Sequence, residues 1–162
     1  WMEVREDEVI RPDGKEGTYG HILKRRGVAV LALDESETVH LVSEFKYAIG
    51  RESIETIAGA VDDGEDDLFA AKRELKEEAG IEADEWTDMG VFDPFTSQVN
   101  SPMHLYLAQK LHFGAQQLEG TETIQVLKVP LIEALAMVLD GRITSSHATI
   151  LILKTARLRG IS

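Results

Sequence analysis

The sequence predicts one domain of the α/β (α+β) class, residues 1–162, in which helices cover both faces of a mixed sheet. Three observations support this prediction. The 162 residues suffice for one hydrophobic core, because single domains run about 100 to 150 residues. Segments rich in Val and Leu alternate with polar turns, as strands do. Helical periodicity appears once in the middle and twice near the end, and this interspersed order favours a sheet covered on both faces.

The first third of the chain is predicted to form strands at 4–11, 18–24, 27–33, 39–45 and 52–57. Pro12 and Gly14 fall in a turn between the first two strands, because proline fixes one backbone angle and glycine supplies a positive one. The polar segment 34–38 separates the next two, so that they form a hairpin. The fifth strand leads into Ala58 and Gly59.

A helix is predicted over 67–79. Asp66 or Asp67 is a suitable N-cap, and Gly80 lies where helices exit through a left-handed residue. Strands follow at 86–92, 103–111 and 124–129. Two further helices are predicted at 131–139, ended by Asp140-Gly141, and at 145–158.

The chain is acidic, with 29 Asp and Glu against 17 Lys and Arg and a formal net charge of −12. Such a surface repels polyanions, which argues against partnership with nucleic acid or anionic lipid. The absence of cysteine excludes disulfides and thiolate chemistry. Without a window of about 18 consecutive apolar residues, we expect a soluble cytoplasmic protein with no membrane partner.

The most specific feature lies between Gly59 and Ile81. Nine residues follow the spacing G-x5-E-x7-R-E-U-x-E-E-x-G-U, where U is apolar: Gly59, Glu65, Arg73, Glu74, Leu75, Glu77, Glu78, Gly80 and Ile81. At average residue usage such a match arises on the order of once in a hundred million windows. On the predicted helix, three of its carboxylates fall in one arc beside an apolar stripe.

Clustered carboxylates at these spacings favour a divalent cation. Glu74 and Glu78 are four residues apart and Glu74 and Glu77 three apart, so their charges destabilise the helix by a few tenths of a kcal/mol per pair. A cation removes that penalty. Carboxylate oxygens are the ligands that magnesium and manganese prefer, and magnesium is often shared with substrate phosphates.

This pattern is the signature of the Nudix hydrolases, which the chain closely resembles. The resemblance implies an α/β/α sandwich and a Mg²⁺- or Mn²⁺-dependent hydrolase that cleaves a diphosphate linked to another moiety. It implies that the metal ligands are Glu74, Glu78 and Glu77, with the backbone carbonyl of Ala58. Arg73 matches the residue that orients these carboxylates, and Glu65 matches a position that supports the loop or reaches a metal. Gly59 and Gly80 complete the motif, the Nudix box, at 59–81.

Segments outside the motif resemble the ADP-ribose and nucleoside diphosphate sugar pyrophosphatases. The likeness rests on residues 41–47, Glu55 to Gly59 and the acidic loop 119–124, and runs over most of 28–155. Glu44, Lys46 and Ile57 depart from the subfamily pattern. We therefore expect a small nucleotide-sugar substrate, cleaved to a nucleoside monophosphate and a sugar phosphate. The alternatives are a Nudix hydrolase that removes nucleoside triphosphates and a Nudix-fold sensor that binds without turnover.

The resemblance also suggests the remaining site residues. Glu122 is the preferred catalytic base, with Glu119 and Glu77 as rivals. Lys46 and Arg51 are candidates to grip phosphate, and Glu55 is a candidate substrate-binding residue. His104 and His147 are interpreted as structural or capping residues. Because relatives are homodimers joined through N-terminal strands, residues 1–24 are expected to form a dimer interface and complete the partner's pocket.

Overall fold

The computed structural model of the chain describes residues 2–118, 120 and 123–161. Its strands and helices follow the predicted order. The strands are β1 (Met2–Ile10), β2 (Glu16–Lys24), β3 (Gly27–Leu33), β4 (Thr38–Lys46), β5 (Arg51–Glu55), β6 (Ile57–Ala60), β7 (Ile81–Phe92), β8 (Val99–Asn100), β9 (Met103–Phe113) and β10 (Gln125–Pro130). The helices are α1 (Asp67–Ala79), α2 (Leu131–Leu139) and α3 (Ser146–Leu158), and a single 3₁₀ turn covers Tyr47–Ile49.

The strands form two sheets. The larger has seven strands, ordered β10-β4-β3-β9-β7, with β5 paired to β4 and β6 paired to β3. It is mixed, because β3 runs parallel to β9 but antiparallel to β4. The smaller sheet joins the β1–β2 hairpin to β8. The predicted α/β class with a mixed sheet is confirmed.

The core lies on both faces of the larger sheet. Strand β3 is wholly buried, and its side chains alternate between two apolar clusters. Ala29, Leu31 and Leu33 pack with α2 and α3, whereas Val28, Val30 and Ala32 pack with α1. Because successive side chains of a strand point to opposite faces, one central strand holds both helical layers of the sandwich.

The prediction of one strand at 52–57 is wrong, because the chain changes partner at Thr56. Strands β3 and β4 pair only through Ala32–His40 and Leu33–Val39 and then diverge. Strand β5 continues along β4, while β6 continues along β3. The sheet therefore splits where the chain enters the motif, and β6 delivers Ala58 and Gly59 to the edge of that split.

Two further differences from the prediction exceed two residues at a strand end. Strand β7 begins at Ile81 rather than at 86, directly after Gly80, because it pairs with β9 as far as Phe113. Strand β8 was not predicted. It consists of Val99 and Asn100, which pair with Ile22 and Leu23 of β2. None of the helices in the described part of the chain is long and apolar enough to cross a membrane.

His104 ties the start of α1 to the sheet. Its Nδ1 lies 3.1 Å from Asp67, the first residue of α1, and its Nε2 lies 3.0 Å from Asp88 on β7. Burial by itself favours the neutral ring, but the hydrogen bonds to Asp88 and Asp67 outweigh it and raise the pKa of His104. The predicted structural role therefore takes the form of a histidine ring hydrogen-bonded between two carboxylates.

Replacing His104 with alanine should make folding less dependent on pH. Because the folded-state pKa is raised, the stabilisation by His104 is complete below the unfolded pKa of about 6.5 and is lost as the pH rises through the folded value. The difference in unfolding free energy between wild type and His104→Ala should therefore shrink from pH 6 towards pH 9, as urea titrations will measure. His112→Ala is the control, since its pair with Asp84 is exposed and contributes little. A difference constant across this range would contradict the assignment.

Candidate active site

Helix α1 begins and ends at local signals that fix its register. The Asp66 side chain accepts hydrogen bonds from the N–H groups of Leu68 and Phe69, and its backbone is extended. Gly80 ends the helix with φ 65°, and a Cβ there would lie 2.7 Å from the Gly114 carbonyl oxygen. The last turn of α1 is thus held against the segment that follows β9.

Gly59 makes room for Glu74. A Cβ at Gly59 would lie 2.0 Å from both Cδ and Oε1 of the Glu74 side chain, a distance that no pair of non-bonded atoms tolerates. The glycine therefore lets the carboxylate lie directly against the β6 backbone. Glycine serves this purpose wherever a backbone must be approached closely, which explains why the motif begins with one.

Glu78 is also held against β6. Only 8% of the residue is exposed, and its Oε2 accepts a hydrogen bond of 3.2 Å from the Ala58 N–H. The Val61 N–H donates to Arg26 O, so residues 61 and 26 form a hydrogen-bonded pair of the β6–β3 ladder. Such pairs alternate with non-hydrogen-bonded ones in an antiparallel ladder. Ala58 and Ala29, three positions further along, are therefore a non-hydrogen-bonded pair. Both backbone groups of Ala58 then point away from β3, and the carbonyl predicted as a metal ligand lies on the side of the glutamates.

Arg73 lies among the remaining motif carboxylates. Its guanidinium donates to both oxygens of Glu65 at 3.0 and 3.1 Å, to Glu74 at 2.7 Å and to Glu77 at 3.0 Å. A further bond of 3.0 Å reaches the Ala60 carbonyl. The Glu65 hydrogen bonds are the largest of the influences that raise the pKa of Arg73, and Arg73 in turn lowers the pKa of Glu65. Every donor faces an acceptor, so the arginine fixes the loop, the helix and β6 together.

The donor set fits a hard divalent cation. Glu74, Glu77, Glu78 and the Ala58 carbonyl offer only oxygen, which magnesium and manganese prefer, and Gly59 keeps a cradle for one of them open. Within the described residues, no three carboxylate or imidazole groups already surround one point as ligands. Arg73 donates to Glu74 and Glu77, and the Ala58 N–H donates to Glu78, so these contacts orient the carboxylates that would hold the cation.

The structure brings Lys46 and Glu55 near this cluster but not Arg51. The Lys46 ammonium is paired with Glu44; burial opposes its charge, but Glu44, Glu55 and Glu78 raise the pKa of Lys46. Arg51 is exposed and donates to Thr144 at 2.9 Å. It does not line the cleft beside the motif, which weakens its assignment as a phosphate-binding residue.

An open cleft of about 400 Å³ lies beside Ala58 and Gly59, within the size range of small-molecule sites. It is lined by three consecutive bases that the sequence reasoning missed, Lys24, Arg25 and Arg26, and by Glu55 and His147. Lys24 ends β2, and Arg25 and Arg26 connect it to β3. They are the only run of three Lys or Arg residues in an acidic chain, and this was the signal that could have identified them.

His147 joins the site through its side chain. Its Nε2 lies 3.2 Å from Glu55 Oε2, and its Nδ1 lies 2.9 Å from the Thr56 hydroxyl. The N-cap of α3 is Ser145, so His147 does not cap the helix. Instead it connects the start of α3 to the point where the sheet splits.

The preferred base, Glu122, lies outside the described residues, and so does its rival Glu119. Their positions relative to the cleft stay a prediction. The third candidate, Glu77, lies on the exposed side of the cluster, with 31% of its side chain accessible and a hydrogen bond to Arg73.

Comparison with known proteins gives the family. Residues 23–151 match the NUDIX domain, and residues 1–22 match the nucleoside diphosphate sugar hydrolase N-terminal domain. The chain is 31% identical over 140 residues to the ADP-ribose pyrophosphatase of Bacillus subtilis (strain 168), covering 85% of this chain and 75% of that protein.

Two further relatives match this chain with similar identity and coverage. One is the ADP-ribose pyrophosphatase of Mycobacterium tuberculosis (strain ATCC 25618 / H37Rv), 30% identical over 90% of this chain and 72% of that protein. The other is the GDP-mannose pyrophosphatase of Klebsiella pneumoniae, 31% identical over 90% of this chain and 79% of that protein. The resemblance predicted from the motif is confirmed, and so is the enzyme class. The chain belongs to the Nudix family and is a Nudix hydrolase.

Proposed function

We propose that the protein hydrolyses the diphosphate linkage of a nucleoside diphosphate sugar, releasing a nucleoside monophosphate and a sugar phosphate. The single observation that carries the substrate class is the match of residues 1–22 to the N-terminal domain of nucleoside diphosphate sugar hydrolases, joined to an intact set of motif carboxylates. Relatives named as ADP-ribose and GDP-mannose pyrophosphatases support it.

Some of the motif residues would bind a cation, and others hold the cation's ligands in place. Glu74, Glu78, Glu77 and the Ala58 carbonyl would hold Mg²⁺ or Mn²⁺. When bound, such a cation supplies neutralising charge at the phosphates and a water of lowered pKa. Arg73 keeps Glu65, Glu74 and Glu77 oriented. Glu122, with Glu119 and Glu77 as rivals, takes the proton of the attacking water. The basic residues 24–26, rather than Arg51, grip the diphosphate from the cleft wall.

We propose further that the protein is a homodimer joined through its N-terminal hairpin. Both strands of that hairpin are largely exposed in the single chain. Four of its large apolar side chains are accessible: Met2 53%, Val4 72%, Ile10 70% and Tyr19 49%. Exposed apolar surface of this kind marks interaction sites, and a second copy is the partner that the family resemblance supplies.

A substrate panel tests the proposed function. The protein is incubated with magnesium and ADP-ribose, ADP-glucose, GDP-mannose, UDP-glucose, diadenosine polyphosphates or nucleoside triphosphates, and initial rates are compared by chromatography. We expect kcat/KM to be highest for one nucleoside diphosphate sugar. Release of inorganic diphosphate from triphosphates alone would replace the proposal with the alternative of a Nudix hydrolase that removes nucleoside triphosphates. Binding of a nucleotide sugar with no turnover would replace it with a sensor.

A further inference from the structure

The cleft beside the motif combines three bases with one acid. Lys24 lines it from the end of β2, Arg25 and Arg26 line it from the connection to β3, and Glu55 lines it from the end of β5. Among the described residues that line the cleft, Glu55 is the one acidic side chain. An acid here is unexpected in a site for an anionic diphosphate, because it repels phosphate and costs free energy to bury.

Glu55 is held in one orientation by hydrogen bonds on both carboxylate oxygens. Ser53 donates its hydroxyl to Oε1 at 2.7 Å, and His147 Nε2 lies 3.2 Å from Oε2. Only 17% of the Glu55 side chain and 12% of the His147 side chain are exposed. Each carboxylate oxygen accepts more than one hydrogen bond, so both keep capacity for a donor in the cleft.

Glu55 remains ionised throughout the physiological range. Burial by itself would raise its pKa, but the hydrogen bonds from His147 and Ser53, with the charges of His147 and Lys46, lower the pKa of Glu55 to about 2. A fixed carboxylate accepts hydrogen bonds from the hydroxyl groups of a sugar and repels a phosphate in the same place. It therefore distinguishes a nucleoside diphosphate sugar from a nucleoside triphosphate. The motif alone is compatible with both substrates.

We propose that Glu55 is the specificity-determining residue of the cleft, favouring a neutral hydroxylated sugar beyond the diphosphate and rejecting a terminal phosphate. His147 is its positioning residue. This inference rests on the proposed function, which it deepens by naming the group that excludes nucleoside triphosphates. Arg25 is paired with Asp62 at 3.0 Å and Arg26 with Asp67 at 2.7 Å, and a base attracts both ligand classes alike. Among the described lining residues, the discrimination therefore resides in Glu55.

Equilibrium binding tests the inference without turnover. The affinities of the 162-residue chain for ADP-ribose and for ATP are measured by calorimetry in EDTA, for wild type, Glu55→Gln and Glu52→Gln. Glu52→Gln is the matched control, because it removes the same charge from the same strand. Glu52 is exposed and does not line the cleft. We expect the preference for ADP-ribose over ATP to fall at least about tenfold in Glu55→Gln and to stay at the wild-type value in Glu52→Gln.

Two results would overturn the proposal. One is an unchanged preference in Glu55→Gln, and the other is an equal loss in both variants, which would reduce the effect to net charge. Turnover is measured separately in magnesium on the same preparations. A wild type that binds ADP-ribose without cleaving it removes the proposed enzyme function, and the binding ratio still decides the role of Glu55.

Two substitutions of His147 test its positioning role. His147→Gln keeps a donor that can reach Glu55, whereas His147→Leu keeps similar bulk without one. We expect His147→Leu to lose most of the preference for ADP-ribose and His147→Gln to retain it, with both proteins folded by circular dichroism. If His147→Leu keeps the wild-type preference, or if both variants lose it equally, Glu55 does not depend on this hydrogen bond.

Discussion

Substituting alanine for Gly59 should lower kcat/KM by at least about 100-fold, the cost of misplacing a reacting or ligating group by roughly 1 Å. The new Cβ would occupy the space of the Glu74 carboxylate, whose Cδ and Oε1 lie 2.0 Å from that position. Glu74 is a flexible side chain and can turn away by rotating its own bonds. The fold should therefore survive while the carboxylate is lost from the site.

Steady-state kinetics and thermal unfolding together check this expectation. Gly114→Ala is the control, because among the described residues a Cβ there meets only the Gly80 carbonyl oxygen, at an ordinary contact distance of 3.6 Å. Wild-type activity in Gly59→Ala would mean that the observed position of Glu74 is not needed for hydrolysis. A melting temperature far below that of Gly114→Ala would mean that the glycine serves the fold rather than the site.

Replacing Arg73 with methionine should have the largest effect on stability. The substitution leaves Glu65, Glu74 and Glu77 close together without the guanidinium that donates to all three. A hydrogen bond to a charged group contributes about 1.5–3 kcal/mol, so we expect a loss of about 2–3 kcal/mol in unfolding free energy. Because the same carboxylates are the proposed metal ligands, kcat/KM should fall about 10- to 100-fold, as when a supporting partner of a metal site is removed.

Urea titration at neutral pH measures the stability term. Lys76→Met is the matched control, since Lys76 lies on the same helix and pairs with Glu82 at the exposed surface. Such pairs contribute at most about 1 kcal/mol. Equal losses in the two variants would show that Arg73 is one more surface cation and does not organise the motif.

The motif helix could be predicted from sequence to the residue because its boundaries depend on local signals. Asp66 supplies the N-terminal hydrogen bonds and Gly80 adopts the left-handed conformation at the other end, and neither needs distant parts of the chain. The hairpins β1–β2 and β3–β4 were predictable for the same reason. Between them, these local signals gave the order of elements and the arc of glutamates.

The features that sequence reasoning missed depend on distant contacts. Strands β5 and β6 separate at Thr56 because β3 and β4 diverge, which a strand's own residues do not reveal. His147 reaches Glu55 and Thr56 from the first turn of α3, some 91 residues away. The bases at 24–26 look like the end of one strand and the start of another until the fold sets them beside Gly59.

Hydrolysis of ADP-ribose in ¹⁸O-labelled water is the most direct test of the central claim, that this Nudix site cleaves the diphosphate linkage of a nucleotide sugar by attack of water. Products formed with magnesium, and with EDTA in its place, are identified by mass spectrometry. We expect adenosine monophosphate and ribose phosphate in equal amounts, one ¹⁸O in one of the two, and no products in EDTA. Cleavage at any other bond, or undiminished cleavage in EDTA, would contradict the account.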